Sequence, residues 1–90
     1  MPTLAARTAL LLLRPLLIAA QDRQLSEIEV REVIRLCELL THKLPGRNDF
    51  NAAATNLCAS IHSSGLLVQG RTEIAGRLLV NVDHLSGMLG

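Results

Sequence analysis

The amino-acid sequence predicts an all-α fold, a small bundle of three or four helices built around an antiparallel helical hairpin. Leucine accounts for 19 of the 90 residues, and Phe50 is the single aromatic residue. A composition poor in aromatic and β-branched side chains favours helices over sheets. Apolar residues also recur at the spacing of one helical face in several segments. We expect one domain over residues 1–90, with helices at 1–21, 26–44, 49–63 and 72–89.

The first segment, residues 1–21, is apolar on nearly all sides of the predicted helix. Arg7, Arg14 and Gln21 are seven residues apart and share one narrow side of the helix, while leucines and an isoleucine cover most of the rest. Such a helix must be surrounded by other apolar groups. Pro15 removes one backbone hydrogen bond, so we expect a kink there, unless Pro15 begins a new helix as its first residue.

Several roles are open for this first segment. We favour a helix that is retained in the folded protein. A secretory leader or a mitochondrial presequence is the alternative, since the segment carries arginines, small residues and no acid. A membrane span is disfavoured, because the apolar run is shorter than the ~20 residues that a span needs and is interrupted by Arg14 and Pro15. The expected compartment is the cytoplasm, or the mitochondrion or the exterior if the segment is a targeting signal.

The second segment carries the clearest helix signals. Ser26 and Glu29 have the spacing of a capping box, in which each side chain binds the other residue's backbone amide. Glu27 precedes Arg31 in the favourable i,i+4 order. Apolar residues then repeat at helical spacing until Pro45 and Gly46 end the pattern, which places the helix at 26–44.

The third segment is a helix that begins with Asn48 or Asp49 as N-cap and ends before Gly65. A short connection joins it to the preceding helix, so we expect the two to form the antiparallel hairpin. Cys37 and Cys58 then lie at similar heights on the two core-facing stripes. We interpret them as buried thiols, and the spacing does not decide whether they form a disulfide.

The last third of the chain has two readings. Thr72 is a suitable N-cap for a helix over 72–89, and Glu73 and Arg77 have the spacing of a supporting ion pair. The alternative is a β-hairpin within residues 66–83, around a glycine-bounded centre. We favour the helix, because the apolar stripe continues beyond the length of a usual strand.

The residues that carry chemistry do not form a recognisable site. Ser60 and His62 are close in sequence, but neither the GxSxG pattern nor a phosphate-binding glycine motif is present. Cys58 and His62 lie one helical turn apart, but four converging metal ligands cannot be found. The formal net charge of +1 and the lack of Tyr and Trp argue against strong attraction to nucleic acid. We therefore expect no enzymatic activity, no cofactor and no metal ion.

The expected function is that of a small non-catalytic protein–protein interaction module, such as an adaptor, a chaperone-like partner or an assembly subunit, that acts through helix–helix packing. The reason for this expectation is that the chain has more apolar surface than a fold of ninety residues readily buries. Self-association or a protein partner would cover the remainder. The candidate partner-binding residues are Leu10, Leu13, Leu17 and Ile18, with Leu78, Leu85 and Leu89 as a second surface.

Two other functions remain as alternatives. One is a precursor whose first 20 residues are a removable targeting segment. The other is a small helical DNA-binding regulator, in which Arg77, Asn81 and His84 would read bases from the last helix.

Overall fold

In the part of the chain that the structure describes, five α-helices and one 3-10 turn make up the regular secondary structure. The computed structural model describes residues 2–69 and 71–89. Its elements are α1 (Pro2–Asp22), α2 (Glu27–Leu40), α3 (Asn48–Ser63), the single turn α4 (Leu66–Gln69), a 3-10 turn (Thr72–Ile74) and α5 (Ala75–Met88). The all-α prediction is confirmed. The β-hairpin alternative is wrong, because residues 66–69 and 72–83 are helical.

The longest helix, α1, lies antiparallel to α5. The Arg7 guanidinium donates a hydrogen bond to the carbonyl oxygen of Leu89, and Arg14 Nε lies 3.0 Å from Asp83 Oδ1. Residues later in α1 contact residues earlier in α5, so the two helices run in opposite directions. Arg7, Arg14 and Gln21, which we call the polar seam, therefore face α5, which explains their seven-residue spacing.

The last member of the polar seam lies over the first turn of α5. A Cβ atom built on Gly76 would come within 3.3 Å of Gln21 Nε2, so the absence of a side chain at Gly76 lets the glutamine approach closely. Together with the two arginine contacts, this approach keeps α1 and α5 in register over most of their length.

The core is a single cluster to which every helix of more than one turn contributes. α1 also packs against α2, and α3 packs against α5 and more lightly against α2. Phe50, the only aromatic residue, is fully buried on α3. Full burial of one such side chain stabilises the fold by ~1.5–3 kcal/mol. From α1 the core receives six residues: Ala6, Ala9, Leu10, Leu13, Leu17 and Ala20.

The helix α1 continues through Pro15 without interruption. Proline has no N–H, so the carbonyl oxygen of Leu11 lacks its usual partner one turn later. Both Leu11 and Pro15 face solvent. Water can therefore reach the freed carbonyl group, which explains how α1 accommodates a central proline.

The start of α2 is fixed by the predicted capping box and by a residue outside it. Ser26 N donates to Glu29 Oε1 at 2.9 Å, and Glu29 N donates to Ser26 Oγ at 3.3 Å. Arg23 in addition donates two hydrogen bonds to the same carboxylate, at 2.7 and 2.8 Å. The guanidinium of Arg23 and the Ser26 amide lower the pKa of Glu29 to about 2.

The end of α2 lies four residues before the predicted end. The helix stops at Leu40, with Thr41 as C-cap. Asn51 of α3 accepts a hydrogen bond from Leu44 N at 2.8 Å and donates one to Leu44 O at 2.9 Å. Because the side chain of Asn51 occupies both backbone groups of Leu44, that residue leaves the helix while its own side chain stays buried.

The beginning of α3 and the end of α5 are joined by Arg47. The N-cap of α3 is Arg47, so the prediction of Asn48 or Asp49 was wrong by one or two residues. Arg47 Nη2 donates to the carbonyl oxygen of Met88 at 2.7 Å. With the contact of Arg7 to Leu89, two guanidinium groups bind the last carbonyls of α5, where the helix dipole is negative.

The last helix begins later than predicted. Residues Thr72–Ile74 form a 3-10 turn, and α5 starts at Ala75. Glu73 accepts a hydrogen bond from Arg71 at 2.9 Å rather than pairing with Arg77 as predicted. Gly65, with a φ of +83°, turns the chain out of α3 into α4, a conformation that suits glycine.

Leu13→Ala tests whether α1 belongs to the core. We expect a loss of ~2–5 kcal/mol in the free energy of unfolding, because the substitution leaves a cavity at a fully buried position. The matched control is Leu11→Ala, an exposed leucine on the same helix, for which a change within ~0.5 kcal/mol is expected. Urea denaturation followed by circular dichroism gives both values. Equal effects of the two substitutions would contradict the orientation of α1.

Glu29→Gln tests the contact with Arg23. The pKa of Glu29 in the folded protein, about 2, lies below the ordinary value of 4.5, so its ionised form stabilises the fold above that ordinary value, and the stabilisation is lost as the pH falls towards 2. The wild type should therefore melt at a higher temperature than Glu29→Gln at neutral pH, and the difference should disappear in acid. Glu38→Gln, an exposed position on the same helix, should show little difference at either pH. A difference in Tm between the wild type and Glu29→Gln that persisted in acid would contradict the stabilising role of ionised Glu29.

Candidate functional site

The structure places six of the seven predicted partner-binding residues in the protein's own core. These are Leu10, Leu13, Leu17, Leu78, Leu85 and Leu89. Their burial is accounted for by the packing of α1 and α5 against the rest of the bundle, so they are not accessible to a partner in this fold. Ile18 is the one member of the set at the surface, with 41% of its area exposed.

The exposed apolar residues of α1 lie on the opposite side of the helix. Leu4 is 63% exposed, Leu11 72% and Leu12 45%. They share this side with Ile18, and the intervening exposed positions are small or uncharged. We call this surface the free face of α1, and it consists of Leu4, Ala5, Thr8, Leu11, Leu12, Pro15 and Ile18.

The polar seam forms one border of the free face. Arg7 and Arg14 stand beside it, but their guanidinium groups turn to α5 and bind Leu89 O and Asp83. Between Leu4 and Ile18 the free face therefore contains no charged side chain, and the exposed Asp22 continues the same side of the helix one turn after Ile18. Ile28 on α2 and Val80 on α5 are also large, exposed apolar residues. Each stands alone rather than in a patch, which is normal for a folded surface.

A small cavity adjoins the free face between α1 and the end of α5. Its volume is about 220 Å³, and it is lined by Arg7, Leu10, Leu11, Ser86 and Leu89. Three of its five lining residues are leucines, so its wall is mostly apolar. The cavity could accept an aliphatic side chain presented by a neighbouring helix.

Three further clefts follow the outer surface of α3, and most of the residues that line them are of polar type. The largest, about 420 Å³, is lined by Lys43, Asn48, Asn51, Ala52, Thr55 and Asn56. A second, about 320 Å³, contains Ser60, Ser63 and Ser64 with Arg77 from α5. Neither a histidine nor a carboxylate lines this second cleft, so the serines have no base beside them there.

The residues that the DNA-binding alternative assigns to base contacts lie where α5 packs against α3. Arg77 and Asn81 line the second cleft, and Asn81 and His84 line the third, about 200 Å³, opposite Ser60 and Asn56. These side chains border a groove within the protein and do not stand on a protruding helix. This placement does not favour insertion of α5 into a DNA groove.

The two cysteines are in contact between α2 and α3. Cys58 Sγ donates to the carbonyl oxygen of Cys37 at 3.5 Å, and both thiols are free and buried. This contact agrees with the prediction that they lie at similar heights on neighbouring helices. The neighbouring Cys58 thiol and burial both raise the pKa of Cys37. Among residues 2–69 and 71–89, no group of three or more His, Cys, Asp or Glu side chains could hold a metal ion.

Among the described residues, one helix is long and apolar enough to cross a membrane by length and composition alone. It covers Thr3–Asp22, and 33% of its most apolar window is buried inside the bundle. The interruption by Arg14 and Pro15 does not bring it below that threshold. A core helix of a folded bundle and a signal sequence near the N-terminus both meet the same criteria.

Comparisons with protein-family models, with curated proteins and with solved structures gave no match. The candidate site is therefore defined by its geometry.

The apolar periodicity of α1 did not show which of its sides would be exposed as the free face. Apolar residues surround α1, so two sides of the helix were equally suited to a core. Only the polar seam distinguishes them, once it is known to face α5. Leu4, Leu11 and Leu12 were missed for this reason.

The thiols provide a test of this packing. We expect Cys37 and Cys58 to react with a disulfide reagent at least ~100-fold more slowly in the native protein than in denaturant, because exposure requires opening of the core. A cysteine introduced by Val80→Cys, at an exposed position, should react rapidly without denaturant. Absorbance at constant pH measures all three rates. Rapid native reaction of the two core thiols would contradict their burial.

Proposed function

We propose that this chain is a small non-catalytic protein–protein interaction module, of the adaptor, chaperone-like or assembly-subunit kind, that binds a helical partner through the free face of α1. The observation that carries this proposal is the exposure of four large aliphatic side chains, Leu4, Leu11, Leu12 and Ile18, on one side of one helix. Contiguous exposed apolar patches of this kind occur more often at interaction sites than elsewhere on protein surfaces.

The shape of the surface supports a helical partner. Leu4, Leu11 and Ile18 follow one another at intervals of two helical turns and form a ridge parallel to the axis of α1. Helices recognise each other through such ridges, which enter the grooves of the partner. The cavity beside Leu11 adds a recess for one projecting side chain.

The proposal requires α1 to remain in the working protein. α1 supplies six residues to the core, including the fully buried Leu13 and Leu17. Removal of residues 1–20 would expose the sides of α2 and α5 that now pack against them. These core contacts support the proposal that α1 is retained.

Site-specific photo-cross-linking tests the proposal. A photoreactive amino acid in place of Leu11 should give one discrete covalent adduct when the protein is irradiated in its native cells, because a bound partner lies against this position. The matched control carries the same amino acid in place of Val80, which is exposed on α5 outside the free face, and should give none. The adduct should also be lost on addition of Leu4→Glu.

The outcomes separate clearly. An adduct from position 11 that disappears with Leu4→Glu supports a partner on the free face. Equal adducts from positions 11 and 80, or no adduct from position 11, would contradict the proposal. Circular dichroism of each variant establishes that the helices are retained.

A further inference from the structure

We propose that Cys37 and Cys58 form a reversible dithiol–disulfide site, which a low-molecular-weight disulfide oxidises to an intramolecular bond that joins α2 to α3. The spacing of the two cysteines in the sequence left this pairing open, and their contact in the fold carries the inference. The site lies between α2 and α3 and does not involve the free face of α1. It can therefore fail while the proposed function stands.

The two cysteine side chains lie against each other in the core. Cys58 Sγ is 3.5 Å from the carbonyl oxygen of Cys37, although the two residues are 21 apart in the sequence. The side chains also interact directly, since the thiol of Cys37 hydrogen-bonds to the sulfur of Cys58. This contact supplies the proximity that an intramolecular disulfide requires.

Oxidation of this pair leaves the backbone at Cys37 paired. The carbonyl oxygen of Cys37 accepts a hydrogen bond from Thr41 N at 3.1 Å, in addition to the contact from Cys58. Formation of the disulfide removes the S–H donor of Cys58, but the carbonyl oxygen keeps its backbone partner at the end of α2. A buried acceptor without a partner would oppose the bond, and none is created here.

The position of the pair gives a covalent bond a clear effect on the fold. α2 and α3 pack more lightly against each other than α2 packs against α1 or α3 against α5. The hydrogen bonds between Asn51 and Leu44 hold the connecting segment, and the cysteines join the helices themselves. A disulfide would secure this junction and would also restrict the unfolded chain, which is the main way in which a disulfide stabilises a fold.

The reaction is a thiol–disulfide exchange. The hydrogen bond from Cys37 lowers the pKa of Cys58 and raises that of Cys37, so Cys58 loses its proton first. Its thiolate attacks one sulfur of the small disulfide, which leaves a mixed disulfide on Cys58 and releases one small thiolate. Cys37 then loses its proton, attacks Cys58 Sγ and releases the second. Both thiolates take up protons, so one small disulfide becomes two small thiols as the two cysteines become one protein disulfide.

Burial determines the rate of this exchange. Cys37 is 2% exposed and Cys58 5%, so the oxidant reaches them only when α2 and α3 separate locally. The final proportion of the bonded form depends instead on the ratio of oxidised to reduced small thiol in the surroundings. The pair thus remains reduced where glutathione keeps proteins reduced and becomes bonded in oxidising surroundings.

Equilibration of the full chain with known ratios of oxidised to reduced glutathione tests the inference. Acid quenching, alkylation and intact mass measure the bonded fraction, both in native buffer and in concentrated urea. We expect the equilibrium constant for disulfide formation to be roughly 100-fold larger in the native protein, because the fold already holds the thiols together. Chains refolded from urea in each buffer should reach the same fraction as native chains, which establishes equilibrium.

The bonded form should also have a Tm about 10 °C or more above that of the reduced form. Cys37→Ala and Cys58→Ala each remove one partner, so oxidised glutathione should not raise the Tm of either variant. A matched control combines Cys37→Ala with Val80→Cys, which moves one thiol to an exposed position on α5. This variant should form a mixed disulfide with glutathione at position 80 and no bond to Cys58.

Each outcome bears on the inference. A bond between Cys37 and Cys58 within one chain, identified by peptide mapping and favoured in the native state, supports it. Mixed disulfides with glutathione in the wild type, bonds between chains, or free thiols that persist at the most oxidising ratio would overturn it. Equal equilibrium constants in buffer and urea would overturn it as well, and so would a bonded form that melts no higher than the reduced chain.

Discussion

The packing of α1 along α5 determines which apolar side of α1 is buried in the core and which side is exposed to solvent. α1 has aliphatic side chains on two opposite sides, and only one of them can enter the core. The contacts of Arg7 and Arg14 match the observed orientation, because both side chains reach groups on α5, the carbonyl of Leu89 and the carboxylate of Asp83. Rotation of α1 about its axis would bury the free face and would also leave both guanidinium groups without these partners.

The parts of the fold that follow from local rules were predictable. The capping box at Ser26 and the helical apolar spacing located α2 and α3 to within a few residues, because these signals involve residues close in sequence. The end of α2 was not predictable in this way. It depends on the side chain of Asn51, which reaches back from the next helix to bind both backbone groups of Leu44.

The sequence indicated apolar packing but did not show which leucines lie in the core and which lie at the surface. Leucine-rich helices indicated apolar packing, and Ile18 is the one predicted partner-binding residue that lies at the surface. Leu13 and Leu17 were selected for the same hydrophobicity and proved to be core residues. Hydrophobicity measures the free energy gained when a side chain leaves water, and this gain is the same whether the covering atoms belong to the same chain or to another.

The position of α1 and α5 at opposite ends of the chain has a consequence for synthesis. Of the described helices, α1 leaves the ribosome first and α5 last. At ~5–20 residues per second, roughly 3–13 s separate the completion of the two. During this interval the side of α1 that will pack on α5 is open to water along with the free face, and no local contact can close it sooner. The nascent chain is thus most prone to aggregation before its final helix emerges, and folding must wait for a contact between distant parts of the sequence.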